Sequence, residues 1–168
     1  MRTPQQIALR FTQIDAHDDT VEALAILPAL TRGGQATVEI TLFRPGIARR
    51  RMLRFSGCAN IGVAMDMDVL SDNAPMNTHL LEATINSVEI ESLIRRHKRS
   101  WNVSYPTSLD PLPAKVAALS RYVLFHVRLF GGVVEVLGKS FTVKHLASEL
   151  HSVGPAKTNK VTKTNRVG

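Results

Sequence analysis

The chain has a single cysteine, Cys58, among 168 residues. One thiol allows no internal disulfide framework and fits a reducing compartment. No stretch approaches eighteen consecutive apolar residues, so the sequence offers no candidate for a membrane-spanning helix. The opening residues, MRTPQQIALRF, lack the apolar stretch of a signal peptide; export is not expected, and the cytoplasm is the expected location. Aromatic residues are scarce, at 5%. Phe55 borders one basic group, and Trp101 and Tyr105 follow another, too thin a set for the stacking platforms of single-strand binders. The G-x-S-x-G elbow, the Walker loop and the Rossmann glycines are absent, as are H-x-x-x-H and paired-cysteine spacings. No catalytic residue, metal-ligand set or cofactor is therefore assigned, and the chain is not expected to be an enzyme.

What is present is ordinary globular material, 44% hydrophobic and 21% charged, enough for one sizeable core. The formal net charge of +7 rests on 21 basic and 14 acidic residues. Four of the basic ones, Lys157, Lys160, Lys163 and Arg166, lie in the final PAKTNKVTKTNRVG, which holds no acid; without them 17 basic residues face 14 acidic ones. The body is thus only mildly basic. Residues 1–152 are expected to form a single domain. Residues 153–168 are expected to form a basic, mobile tail, because so polar a segment cannot offset the entropy of ordering it.

Short strands dominate the pattern. Val21 to Leu27, Ala36 to Phe43, Arg50 to Phe55 and Ile61 to Leu70 read as strands; in ATVEITLF, Val38, Ile40 and Leu42 oppose Thr37, Glu39 and Thr41. Gln6 to Ile14 fits a strand or a short helix equally well. Ser87 to Arg99 is amphipathic, with Ile90, Leu93, Ile94 and His97 on one face. Acidic residues lead it, basic ones end it, and Asn86 or Ser87 stands ready as its cap, with Glu89 in a capping-box-like place. Pro106 to Pro113 carries three prolines and cannot be regular structure, and Lys115 to Leu119 suits one helical turn. In Arg121 to Val143, the Gly131-Gly132 pair predicts a two-residue hairpin turn with positive φ. That turn sets Phe130 against Val133, Arg128 against Glu135 and His126 against Leu137, with Val127, Leu129, Val134 and Val136 facing a core. The expected fold is α+β: one antiparallel sheet of about six to eight strands packed against one main amphipathic helix.

Several polar constellations invite a function. His17-Asp18-Asp19 gathers acid–base or metal-ligating groups, but aspartates in such clusters usually shape turns. Asp66 and Asp68 alternate onto one strand face, with Asp72 close behind, without matching a calcium loop. Arg49-Arg50-Arg51 with Arg54, and Arg95-Arg96-His97-Lys98-Arg99, can form an anion-binding surface, or simply charge a strand edge and a helix end. Cys58, among small neighbours, reads as a packed thiol.

The order HDDTVEALAIL, ATVEITLF, RRRMLRFSGCANI and a helix ending near Trp101 resembles small β-rich bacterial immunity proteins, especially those that accompany contact-dependent growth inhibition toxins. The likeness spans Asp15 to Ile61, about a third of the chain, and is one of pattern. It implies a non-enzymatic cytoplasmic antitoxin that binds one toxin domain and masks its active site or substrate surface, through a locally acidic contact face. Few other acidic clusters exist in this mildly basic body, so Asp18, Asp19, Asp66, Asp68 and Asp72 are the expected partner-binding residues. The competing reading is nucleic-acid binding through the arginine groups and the basic tail.

Overall fold

The computed structural model describes residues 2–29, 34–66, 77–104 and 119–146, with the side chains of 97–104 left aside. Helix α1 (Pro4–Thr12) opens the chain, settling the ambiguity of Gln6 to Ile14. Its start is written in the sequence: Thr3 and Gln6 form a reciprocal capping box, and Pro4 occupies the first turn, where no N–H is needed. The strands follow as β1 (Thr20–Leu27), β2 (Ala36–Arg44), β3 (Arg49–Cys58), β4 (Asn60–Met65) and β5 (Thr78–Thr84). Helix α2 (Ser87–Ser104) precedes β6 (Val123–Leu129), β7 (Gly132–Gly138) and β8 (Ser140–Leu146).

The architecture is α+β, but among the described residues eight strands form two antiparallel four-stranded sheets, β1-β2-β3-β8 and β4-β7-β6-β5, accompanied by two α-helices. A single sheet of about six to eight strands packed against one main helix was expected. The division comes from a bend that the strand pattern does not announce. Ser56 pairs with Ser140 and Asn60 with Leu137, so one side of the ladder holds an extra residue. Such a bulge bends a strand. Gly57 sits there at φ 67°, and a Cβ on it would crowd Lys139 at 3.1 Å. Only glycine suits both conditions. Across the bend Ala59 N donates to Leu137 O at 2.8 Å and Lys139 N to Ser56 O at 3.0 Å. The chain therefore runs from β3 into β4, and from β7 into β8, as two paired strands that change sheets together.

The opposite edges also meet. Thr20 bridges Asn77, Asp18 N donates to Thr78 O at 3.0 Å, and Thr78 N to Asp19 O at 2.6 Å. The sheets thus enclose one core, of which Val38, Ile40, Leu42, Leu53, Phe55, Val127, Val134 and Val136 are each at most 1% exposed. The predicted inward faces of β2, β6 and β7 are all correct. Helix α1 covers this core with Phe11, fully buried against Phe55, Phe125 and Phe141, with centroids 4.9 to 5.8 Å away. A second, smaller core lies outside the β6-β7 sheet. There α2 places Ile90 and Leu93 on Leu124 and Leu137. Asn86 caps α2: its Oδ1 accepts from Val88 N at 3.0 Å and its Nδ2 donates to Glu89 Oε1 at 3.2 Å.

The hairpin β6-β7 exists, in another register. Leu129 pairs with Gly132, Arg128 with Val133, and His126 with Glu135, so the tip is Phe130-Gly131. Among the described residues, positive φ falls at Asp18, Ala48 and Gly57 instead. Gly132 is glycine for another reason: a Cβ there would lie 2.2 Å from the Ala64 carbonyl oxygen of β4. β5 was not read from the sequence. Strand β4 ends at Met65, and the remainder of the expected strand, from 67 to 70, lies outside the described residues, as do 105–118 with the proline segment and the tail.

Candidate functional site

At one end of the core, the turn between α1 and β1 is built around Asp19. Asp18 adopts φ 65°, a conformation aspartate tolerates better than most residues. The left-handed step leaves Asp18 exposed and turns Asp19 inward to 1% exposure. Its carboxylate accepts from Arg44 Nε at 2.6 Å and Arg51 Nε at 2.7 Å. Arg51 alternates with Leu53 and Phe55 on the inward face of β3 and is 8% exposed. A buried cation requires a counter-charge. Asp19 supplies it, while Arg51 also donates to the Asp15 carbonyl. Arg44 reaches Asp15 Oδ2 at 2.8 Å, and the hydrogen bond and charge of that guanidinium hold the exposed Asp15 carboxyl below its usual range. The Thr78 hydroxyl donates to the carbonyls of Ala16 and Asp19. The Asp15–Asp19 turn is thus tied to β2, β3 and β5, and it closes the seam between β1 and β5.

Over this seam lies an exposed surface. Phe130, at the hairpin tip, is 64% exposed. Its N–H donates to Asn77 O at 3.2 Å, and the neighbouring Gly131 O accepts from Asp66 N at 2.7 Å. The His79 ring stands 5.5 Å from that of Phe130, and the His17 ring 5.6 Å from that of His79. His17 Nδ1 is 2.9 Å from Asp18 Oδ2. Two expected partner-binding residues, Asp18 and Asp66, therefore belong to one end of the molecule, although 48 positions separate them in the sequence. Asp19 does not join them, because its carboxylate is buried under two arginines. Asp68 and Asp72 lie outside the described residues, within 67–76, whose flanking residues Asp66 and Asn77 both hold the Phe130-Gly131 turn. Sequence reasoning missed Phe130, His79 and His17 as neighbours. The one available signal was an aromatic residue at a hairpin tip, where nothing in the fold requires it.

Most of the described arginines of the two groups are paired internally. Arg50 grips Glu22 through Nε and Nη2 at 2.8 and 2.9 Å and lies over the Phe43 ring. Arg51 is taken by Asp19, Arg54 meets Glu39 at 3.4 Å, and Arg96 meets Glu135 at 3.2 Å. Arg49 contacts the His145 ring at 2.9 Å. Apart from Arg49, these described cations charge a strand ladder and a helix face whose acids partner them.

Burial shifts the proton affinity of two further groups. Burial pushes the Cys58 thiol up, away from the reactive thiolate. Its Sγ lies 3.4 Å from Phe55 O, and the side chain packs against the main core. Burial lowers the His126 pKa, against the opposing influence of Glu135. Among the described residues, no three His, Cys, Asp or Glu side chains gather as a metal site, and no helix is long and apolar enough to cross a membrane. No protein-family model matches the chain, and no curated protein or solved structure is significantly similar to it.

Proposed function

We propose that the protein is a non-enzymatic protein-binding module, acting as an immunity protein that masks a cationic surface of one toxin domain. The observation that carries this reading is the exposed Phe130 ring, which leads through His79 to His17, with Asp18 and Asp66 at the same end. Exposed aromatic anchors on rigid supports dominate binding energy at protein interfaces, and surrounding charges steer encounter and fix orientation. The support here is rigid for a stated reason. The turn bearing Phe130 is bonded to Asn77 and Asp66, and the turn bearing His17 and Asp18 is fastened by Asp19, Arg44, Arg51 and Thr78. Little ordering entropy remains to be lost on binding. The pairing of Arg50, Arg51, Arg54 and Arg96 with carboxylates favours this reading over nucleic-acid binding through the arginine groups.

The test is calorimetry with the toxin domain encoded beside the gene, alongside protection of cells producing that toxin. Phe130→Ala should weaken binding by about 2 kcal/mol, the scale of a hot-spot aromatic. Asp18→Lys with Asp66→Lys should slow association and reverse its salt dependence. Absence of binding and of protection sinks the reading.

A further inference from the structure

A second site lies at the other end of β7. Arg2, Pro4, Ile7 and Arg10 of the α1 region, Ser120 and Arg121 before β6, and Lys139, Ser140 and Phe141 at the β7–β8 corner enclose a cleft of about 620 Å³. Its volume falls within the usual span of small-molecule sites, roughly 300–1,000 Å³. Its charge is distinctive, because among the described residues most of the cations outside it meet a carboxylate. Arg44, Arg50, Arg51, Arg54, Arg95, Arg96 and Arg128 each meet a carboxylate. Arg2, Arg10, Arg121 and Lys139 line one cleft, all exposed, and among the described residues none of them has a carboxylate partner. Among the described residues no acid lines the cleft. Four uncompensated cations converging on one concavity repel one another, which a folded chain tolerates where an anion answers them.

The walls between the charges are apolar. Phe141 packs edge-on to Phe11 and Phe125 and so is held in place by the aromatic core, and Ile7 packs against the same cluster. Lys139 is steadied by the Tyr122 ring, 5.4 Å from its Nζ, and Tyr122 in turn accepts from Gln35 at 3.1 Å. Ser120 and Ser140 add hydroxyls. Phosphate groups match guanidinium and ammonium donors, and a flat apolar body matches the Phe141–Ile7–Pro4 wall. We infer that this cleft binds a small organic polyanion of the nucleoside polyphosphate type, several phosphate charges on a planar apolar moiety. The site is independent of the Phe130 end, which lies at the far end of β7, about 20 Å along the strand at its usual rise per residue.

Titration of the full chain with ATP, tripolyphosphate and adenosine at physiological salt tests this directly. ATP should bind at least tenfold tighter than tripolyphosphate or adenosine, because only ATP engages both the charges and the wall, and it should raise the melting temperature. Arg10→Glu and Lys139→Glu, both exposed, should each weaken ATP about tenfold or more while circular dichroism stays unchanged; Lys144→Glu, exposed on β8 away from the cleft, and Phe130→Ala should leave ATP affinity alone. Tripolyphosphate binding as tightly as ATP would reduce the cleft to a bare charged surface and overturn the inference. So would the absence of ATP binding, or ATP binding indifferent to both reversals, whatever the toxin-binding experiment returns.

Discussion

Replacing Asp19 by Asn removes one charge from the interior without changing its volume. Asp19 is 1% exposed and Arg51 8% exposed, and Arg51 Nε donates to the carboxylate at 2.7 Å. After the substitution the Arg51 cation keeps its burial and the Asp15 carbonyl but loses its counter-charge. Breaking a buried pair from one side costs about 3–5 kcal/mol. At roughly 2–4 °C per kcal/mol for a chain of this size, the melting temperature should fall by about 6–20 °C. Urea unfolding followed by circular dichroism gives the free energy, and an unchanged slope with denaturant would confirm that the folded state stays compact. The Asp19→Leu, Arg51→Met double variant removes both charges and should be less destabilised than the sum of the single changes, by more than about 1 kcal/mol. Arg44 keeps Asp15 in that background, at 2.8 Å. A loss below about 1 kcal/mol for Asp19→Asn, or strict additivity in the cycle, would refute the argument that this ion pair is desolvated and holds the seam.

Gly132→Ala should destabilise the protein by about 2 kcal/mol or more in the same assay, since its Cβ would fall 2.2 Å from the Ala64 carbonyl oxygen and β4 would have to shift. Phe130→Ala, in contrast, should change stability by less than about 0.5 kcal/mol, because a ring 64% exposed adds little to folding. His126 resists protonation in the folded state through burial. The unfolded chain therefore takes up its proton first as pH falls, and stability that is full above about pH 6.5 is lost below it, by at most about 1.4 kcal/mol per pH unit. Melting curves from pH 7.5 to 5.5 should show this loss, and His126→Gln should flatten it; Glu135, Glu82, Glu89 and Arg128 are the charges that act on the ring. Cys58 should react with a thiol reagent only slowly until denaturant is added, because burial keeps its thiol protonated.

Local signals account for much of the fold. The period-two alternation of ATVEITLF marked an inward face that is buried at Val38, Ile40 and Leu42, and the acid-to-base gradient with Asn86 marked the start of α2, because such patterns act within one element. The capping box of Thr3 and Gln6 was equally local and equally readable, although apolar periodicity alone left α1 undecided. The hairpin was visible but not its register. Gly131-Gly132 looks like a turn, yet the contact that settles it is between Gly132 and Ala64, on a strand 68 positions earlier in the sequence. Likewise nothing near Asp19 distinguishes it from Asp18 until Arg44 and Arg51 arrive on neighbouring strands and draw one carboxylate into the core. Composition and periodicity determine which residues prefer water and which face of an element is apolar, since those depend on neighbours a few positions away. Which charges are buried, where one sheet bends into two, and which aspartates lie at the Phe130 end depend on contacts between distant segments. Only the closed tertiary structure brings those segments within bonding distance.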